Sequence, residues 1–498
     1  MSGDFAWDFV DLAVSRTMST QMSHCLFCCL LMACGPDAET DQNGSAGGNE
    51  ATDGGASEGG GETTLYVDDE VEEVSGAEPE EGPFQAAVFR VQTSDSIGSE
   101  EKTDAWLEVI QEHNGTLEDL DGAELTWSGP IGIQLHGSTS LSLPKTNFRF
   151  ETRDELGEDL DVELLGLPDA ADWVLHGPYA DKTLMRNALA YQLARTLAED
   201  LDHWQPHTRY LELFVDDEYR GAYVLVDRVE RDADRMALPH PAETAAEGDL
   251  SGGYLVRIDY DRNPYFSTAA GTLVGYEDPR FEEITPEQDT WLRTWFDDFE
   301  GAFLADGWDD PNGGYRDWLH TDCWVDHFIV NELAHNVDAY HLSTYHSKAA
   351  DSDGGLLHAG PVWDFNRAWG NVDYCGAWAP EGFVIDSLTA CGYSYLLPFW
   401  WSRLLTDEGF SSDLRCRWEE LRLGGLSDES LLAAVAYEVD GLADIQARNH
   451  EAWGTIGVDI HPNYYVGETY DDDVEYMRAW ILDRAAWLDG NMPGNCGG

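Results

Sequence analysis

Lysine is almost missing from this chain of 498 residues: Lys102, Lys145, Lys182 and Lys348 are the only four. Arginine supplies the rest of 28 basic residues, set against 96 acidic ones. The formal charge of −68 excludes nucleic acid and anionic membrane surfaces as natural partners, because both are polyanions. It suits solution in salt, where screening weakens self-repulsion. With lysine so scarce, each of the four is a candidate for a role that arginine does not fill.

Long apolar runs are also missing. Cys25–Ala33 (CLFCCLLMA) is the nearest to one and is far too short to span a bilayer. It fits the apolar region of a signal peptide, and Leu31–Cys34 (LMAC) resembles a bacterial lipobox, in which Cys34 would be lipidated. The segment before it departs from the pattern, with Arg16 as its only positive charge. Residues 35–83 are rich in Gly, Ser, Asp, Glu and Thr, the composition of a disordered tether that cannot bury a core. The expected organisation is therefore a signal peptide over 1–34, a tether over 35–83 and a folded domain over 84–498. Such a protein is exported and touches the membrane only through its lipid anchor.

Cysteine is sparse after Cys34. Cys323, Cys375, Cys391, Cys416 and Cys496 show no CxxC spacing of the kind that marks zinc. In an oxidising compartment Cys375 and Cys391 are natural disulfide partners across a Gly- and Pro-containing loop, and the other three leave one odd thiol. No HExxH segment appears either. His335, His341, His346 and His358 nevertheless gather around Asp338 in the sequence, which keeps a metal-dependent hydrolase open as an alternative.

The folded part divides by pattern. Residues 84–260 are strand-rich, with Thr208–Val215, Arg220–Val226 and Tyr254–Asp259 as strands and helices at Asp104–His113 and Leu184–Leu197. Residues 261–498 read as helical, with helices over 286–304, 322–335, 428–448 and 472–489. The fold class expected is α+β, with two lobes and a cleft between them.

The most informative pair is Asp338 and Asp364. The helix over 322–335 should end just before Asp338. Ser343–Lys348 and Leu356–Val362 then read as two strands joined by the turn signal Asp351–Gly355 (DSDGG), with Asp364 following the second. A hairpin brings its ends together, so both carboxylates should meet. Two carboxylates so placed can hold a divalent cation and orient a hydroxyl.

Several segments then occur in a telling order. They are Phe84–Gly115, Ile133–Phe150 (IQLHGSTSLSLPKTNFRF), Trp173–Asn187 (WVLHGPYADKTLMRN), Tyr219–Val229 (YRGAYVLVDRV), Gly252–Asp259 (GGYLVRID), Asn331–Asp338 and Pro361–Asn366. In this order the chain resembles the spore-coat CotH kinase family of atypical secreted protein kinases, over most of 84–490. The resemblance implies a two-lobed, kinase-like fold and Mg²⁺-dependent transfer of the γ-phosphoryl group of ATP to Ser or Thr of a surface or secreted protein. The His-Arg-Asp and Asp-Phe-Gly signatures of ordinary kinases are absent.

Carried onto this chain, the resemblance makes Asp338 the carboxylate that takes the hydroxyl proton and Asp364 the principal Mg²⁺ ligand. Ser343 stands where the family commonly has a metal-binding asparagine, and Asn366 where a second aspartate is common. Both weaken the metal site and open a second alternative, a catalytically degenerate assembly protein on the same fold. Lys145 is expected to reach the nucleotide phosphates, Gly137 and Ser138 to cradle them, and Asp227 to pair with Lys145 or meet the nucleotide. Arg186 is expected to contact phosphate or to lock the structure by an ion pair. A monomer is expected.

Overall fold

The computed structural model describes residues 87–497, apart from 112–119, 121, 200, 202, 260–263 and 444. The signal-peptide, Cys34 and tether assignments lie outside the described residues. Those that are described belong to one compact unit, Glu78–Gly498. It is a mixed α+β structure with a strand-rich first half and a helical second half.

The first half is built on β1 (Ala87–Gln92), β2 (Thr103–Ile110), β3 (Trp127–His136), β4 (Asn147–Thr152), β5 (Asp172–His176), β6 (Thr208–Val215) and β7 (Glu218–Asp227). These seven strands close into a barrel in the order β1-β2-β3-β4-β5-β7-β6. Closure is made by the parallel pairing of β1 with β6, Ala87 opposite Leu211. All other neighbours are antiparallel.

One expectation is corrected here. Asp104–Ile110 is strand, not helix, and β2 pairs with both β1 and β3. Leu107 and Val109 point into the barrel while Trp106 and Glu108 are more exposed, the two-residue period of a strand.

Strand alternation also explains how the barrel joins the rest. In β7, Tyr223 and Leu225 enter the barrel core, whereas Ala222, Val224 and Val226 join a second core with the helices. In β5, Trp173 and Leu175 face inward and Val174 faces the helices. The chief helix on this face is α1 (Arg186–Ala198), buried along most of its length.

A second sheet has the order β12-β11-β8-β10-β9. It comprises β8 (Tyr254–Ile258), β9 (Tyr265–Ser267), β10 (Leu273–Asp278), β11 (Thr344–Lys348) and β12 (Leu357–Ala359). Thr344 lies opposite Ile258, so Asp259 and Ser343 stand at the same end of adjacent strands. Because β8 pairs with β11, this sheet crosses residue 260, where the strand-rich and helical segments were divided.

The helices of the second half are α2 (Pro286–Leu304), α3 (Thr321–Ala334), α4 (Val384–Ala390), α5 (Phe399–Leu404), α6 (Glu408–Arg422), α7 (Asp428–Leu442), α8 (Ile445–Trp453) and α9 (Tyr470–Asn491). The starts follow familiar chemistry: Thr285 caps α2 in a capping box with Gln288, Pro286 takes the first turn, and Ser427 caps α7. The single helix expected over 428–448 is two, α7 and α8. Disulfides join Cys375 to Cys391 and Cys416 to Cys496, with Cα–Cα separations of 5.4 and 4.7 Å.

Candidate active site

The two aspartates are delivered by opposite ends of one supersecondary unit. Helix α3 stops at His335, whose φ of 47° reverses the chain. The loop after it carries Asp338, whose N–H donates to Asn336 Oδ1 at 3.2 Å. Strands β11 and β12 form the expected hairpin, with His346 opposite Ala359. After β12 the chain reaches Asp364 at φ 62°, a conformation that aspartate tolerates better than most residues.

That second loop is held from several sides. The N–H of Asp364 donates to the Tyr191 hydroxyl at 3.1 Å, and the N–H of Phe365 to Asn187 Oδ1 at 2.7 Å, both from α1. Trp363 stacks on Tyr191. The N–H of Trp369 donates to Ala334 O at 2.8 Å, which ties the Asp364 loop to the end of α3. Arg186 belongs to the same bracing: its Nε donates to Ala368 O at 3.2 Å, and it pairs with Asp181.

Asp338, Asp364, Ser343 and Asn366 all line one cavity of about 420 Å³. Its opposite wall comes from the barrel and second sheet, with Gly137, Ser138, Arg149, Arg228 and Arg257. The cavity is thus lined by both signs of charge: Asp259 and Glu277 lie beside Arg257, Arg367 lies beside Asp338, and Arg149 and Arg228 add two further guanidinium groups. A larger cavity of about 700 Å³ adjoins it and shares Asp338, Asn366, Arg367 and Thr139.

The electrostatics of the acidic wall are set by burial. Burial, then the neighbouring Asp338 charge, pushes Asp364 up to about 6, with Arg367 pulling the other way. Burial also raises Asp338, opposed by Arg367, whose guanidinium lies 3.6 Å from its carboxylate, and by His341. A carboxylate raised in this way is a better proton acceptor near neutral pH.

The donor set suits a hard divalent cation. Two carboxylates, an amide carbonyl and a hydroxyl are the oxygen ligands that Mg²⁺ prefers. The Oδ1 of Asn366 is buried with no hydrogen-bond partner. An orphaned acceptor beside Asp364 is a position that a cation or its bound water satisfies.

Three residues named from sequence do not line this cavity. The Nζ of Lys145 is buried and donates to Asn449 Oδ1 at 2.6 Å and to the carbonyls of Ala222 and Pro178. Asp227 does not pair with Lys145; it accepts from His207, by Nδ1 at 2.8 Å and by the backbone N–H at 3.1 Å. Arg186 is the brace just described. Lys145 precedes β4 rather than lying in it, and the pleat of that strand gives the cavity to Arg149 instead. Phe148 and Phe150 enter the barrel core, so Arg149 faces the other way.

Arg149 was legible in the alternation of Asn147–Thr152 (NFRFET), a signal that the scarcity of lysine overshadowed. Its Nε is buried and unpartnered, whereas Arg228 pairs with Asp172 and Arg257 with Asp259 and Glu277. Gly137 is placed by backbone need: its φ is 115°, and a Cβ there would collide with the Ser140 side chain.

The histidines do not assemble at this site. His335 and His341 hydrogen-bond to the carbonyls of Ala379 and Ala339, and His346 packs against Trp324 and Trp400.

A family model described as CotH kinase protein matches residues 133–488. The chain belongs to the CotH kinase family. The CotH kinase match begins within β3 and ends within α9, so it takes in all the cavity residues named above. No curated protein matches the chain. Membership of the CotH kinase family makes the molecule kinase-like, and kinases in general use ATP and a divalent metal.

Proposed function

We propose that the protein is an exported, lipid-anchored atypical kinase that transfers the γ-phosphoryl group of ATP to Ser or Thr of a surface or secreted protein. The observation that carries this reading is one cavity lined by Asp338 and Asp364 and by Arg149, whose Nε is buried with no hydrogen-bond partner among the described residues. A nucleotide triphosphate is an anion that needs cations on one side and a metal held by carboxylates on the other.

In this reading the barrel and the helical half act as the two lobes of a kinase. Arg149 binds phosphate oxygens, and the turn after Gly137 offers backbone N–H groups. Asp364 and Asn366, with Ser343, hold Mg²⁺, which neutralises charge on the transferring phosphoryl group. Asp338 faces both cavities. An acceptor hydroxyl entering from the larger one meets its carboxylate, which orients the hydroxyl and takes its proton.

Arg149→Met tests the nucleotide site. Loss of a charged, partly buried hydrogen bond should weaken ATP binding in Mg²⁺ about 10- to 100-fold by calorimetry. Unchanged affinity would remove Arg149 from the site. Ser343 favours a second reading, a non-catalytic assembly protein. Transfer of γ-label from ATP to a mixed envelope-protein acceptor separates the two, because the degenerate protein binds without labelling.

Anchoring through Cys34 rests on the lipobox alone. Labelled palmitate should enter the wild-type chain in a bacterial host and be lost in Cys34→Ala; equal labelling of both would contradict the anchor.

A further inference from the structure

Among the described residues one cysteine is free, and it lies in a cluster that the active site does not use. Cys323, in the first turn of α3, is buried, while Cys375, Cys391, Cys416 and Cys496 are all in disulfides. One ligand atom each from His203, Cys323 and His358 lie within 4.8 Å of one another. These residues come from the connection between α1 and β6, from α3 and from β12. We propose that His203, Cys323 and His358 form a zinc site that fastens these three elements together.

The spacing fits the metal. The Cys323 Sγ and His358 Nδ1 are 3.6 Å apart. Zinc with arms of about 2.3 Å to sulfur and about 2.0–2.1 Å to nitrogen, at a tetrahedral angle, sets those atoms about 3.5 Å apart. A cavity of about 10 Å³ lies against two of the three, His203 and Cys323, and is not lined by His358. The Nε2 of His203 and both ring nitrogens of His327 are buried with no hydrogen-bond partner.

A simple thiol–imidazole hydrogen bond would satisfy Cys323 and His358 and leave His203 Nε2 and both ring nitrogens of His327 without partners. A zinc ion takes up His203 as well. Its fourth position falls to water.

The surroundings hold the rings in place. His320 stacks on His358 with centroids 4.7 Å apart. The Gln205 side-chain oxygen accepts from the N–H of Val362, which turns its amide nitrogen toward His203 Nδ1 at 3.3 Å; zinc on Nε2 moves the ring proton to Nδ1 and requires the Gln205 amide to turn its oxygen to that proton. Gly360, at φ 108°, leaves room for His203: a Cβ there would stand 2.9 Å from Cε1 of the ring.

Formation of the site breaks the S–H bond of Cys323, releases its proton to solvent and makes the S–Zn bond. The imidazoles donate lone pairs, and nothing is oxidised or reduced. Softer donors and the absence of a carboxylate among the three ligands distinguish this site from the Mg²⁺ position. Since α3 leads to Asp338 and β12 to Asp364, a zinc clamp here would hold the hairpin that presents both.

The test uses the full chain purified without chelator, with metal content read by mass spectrometry. The expected result is one zinc equivalent more in wild type than in Cys323→Ser. Co²⁺ exchange should give a thiolate-to-cobalt charge-transfer band that the variant lacks. His358→Gln should behave likewise, and serves if Cys323→Ser does not fold. Equal zinc in wild type and a folded variant overturns the proposal. So does a wild-type protein that is metal-free and takes up neither Zn²⁺ nor Co²⁺, or one that holds another metal in place of zinc.

Discussion

Asp364→Ala is expected to lower phosphoryl transfer by roughly a hundredfold to a thousandfold or more, the scale of losing a principal electrostatic contact to the transition state, while leaving the fold intact. The backbone around Asp364 is fixed by groups other than its carboxylate. Its N–H is held by Tyr191, and its neighbours by Asn187 and Ala334. The carboxylate itself is free to hold metal.

The wild-type protein should show a milder form of the same loss with acid. A carboxylate holds metal only when ionised, and the pKa of Asp364, the proposed ligand, is pushed up to about 6, first by burial and then by Asp338. Mg²⁺ affinity should therefore be full above neutral pH and fall as pH drops through about 6. Rates of γ-label transfer at subsaturating Mg²⁺ across this range check both statements. Full activity in Asp364→Ala, or Mg²⁺ dependence that is flat with pH, would contradict them.

The largest expected effect on stability is at Arg484→Met. Arg484 and Glu332 are both completely buried and lie 3.2 Å apart. Arg484 also donates to the carbonyls of Glu332, Pro380 and Gly382 at 2.8, 2.8 and 2.6 Å. Glu332 in turn accepts from the Tyr340 hydroxyl at 3.0 Å and the Val384 N–H at 2.9 Å. One side chain of α9 thus secures the end of α3, the start of α4 and the loop that carries Asp338.

Burial pushes Glu332 up to about 7 and Arg484 down to about 10, so desolvation outweighs part of their attraction. Removing only the arginine leaves the buried Glu332 carboxylate without its countercharge and three carbonyls without their donor, a loss of about 3–5 kcal/mol. Urea unfolding should show it, and Glu332→Gln added to Arg484→Met should recover part of it. A loss below about 1 kcal/mol would place this pair outside the structural core.

What could be read from sequence follows from the range of the interactions. The Asp338–Asp364 hairpin is local: a helix stop, two short strands and a DSDGG turn lie within a few tens of residues, and both aspartates line one cavity. The bounds of α2 and β6 were equally local, set by Pro286 and by the apolar pattern of Thr208–Val215. Closure of the barrel was not legible, because it depends on β1 meeting β6 across more than a hundred intervening residues. Asp104–Ile110 misled because charged residues beside Trp and Leu suit either period, and only pairing on both edges made it a strand.

Lys145 shows a different limit. Scarcity singled it out, yet its ammonium is consumed by Asn449 and two carbonyls brought to it by β7, α8 and the loop after β5. Arg149, commonplace by type, is a basic group that the pleat of β4 turns into the cavity beside Arg228 and Arg257. The cluster of His203, Cys323 and His358 could not be found by spacing at all. It draws single residues from three separate elements.

The central claim is that the cavity between the barrel and the helical half binds nucleotide with its metal. The most direct measurement is thermal melting of the full chain with ATP, with and without Mg²⁺, beside the Asp364→Ala protein. Ligand at about 100 times its Kd stabilises the folded state by about 2.7 kcal/mol. The expected result is a rise in Tm that requires Mg²⁺ and is lost in Asp364→Ala. No rise at millimolar ATP, or an equal rise in both proteins, would contradict the claim.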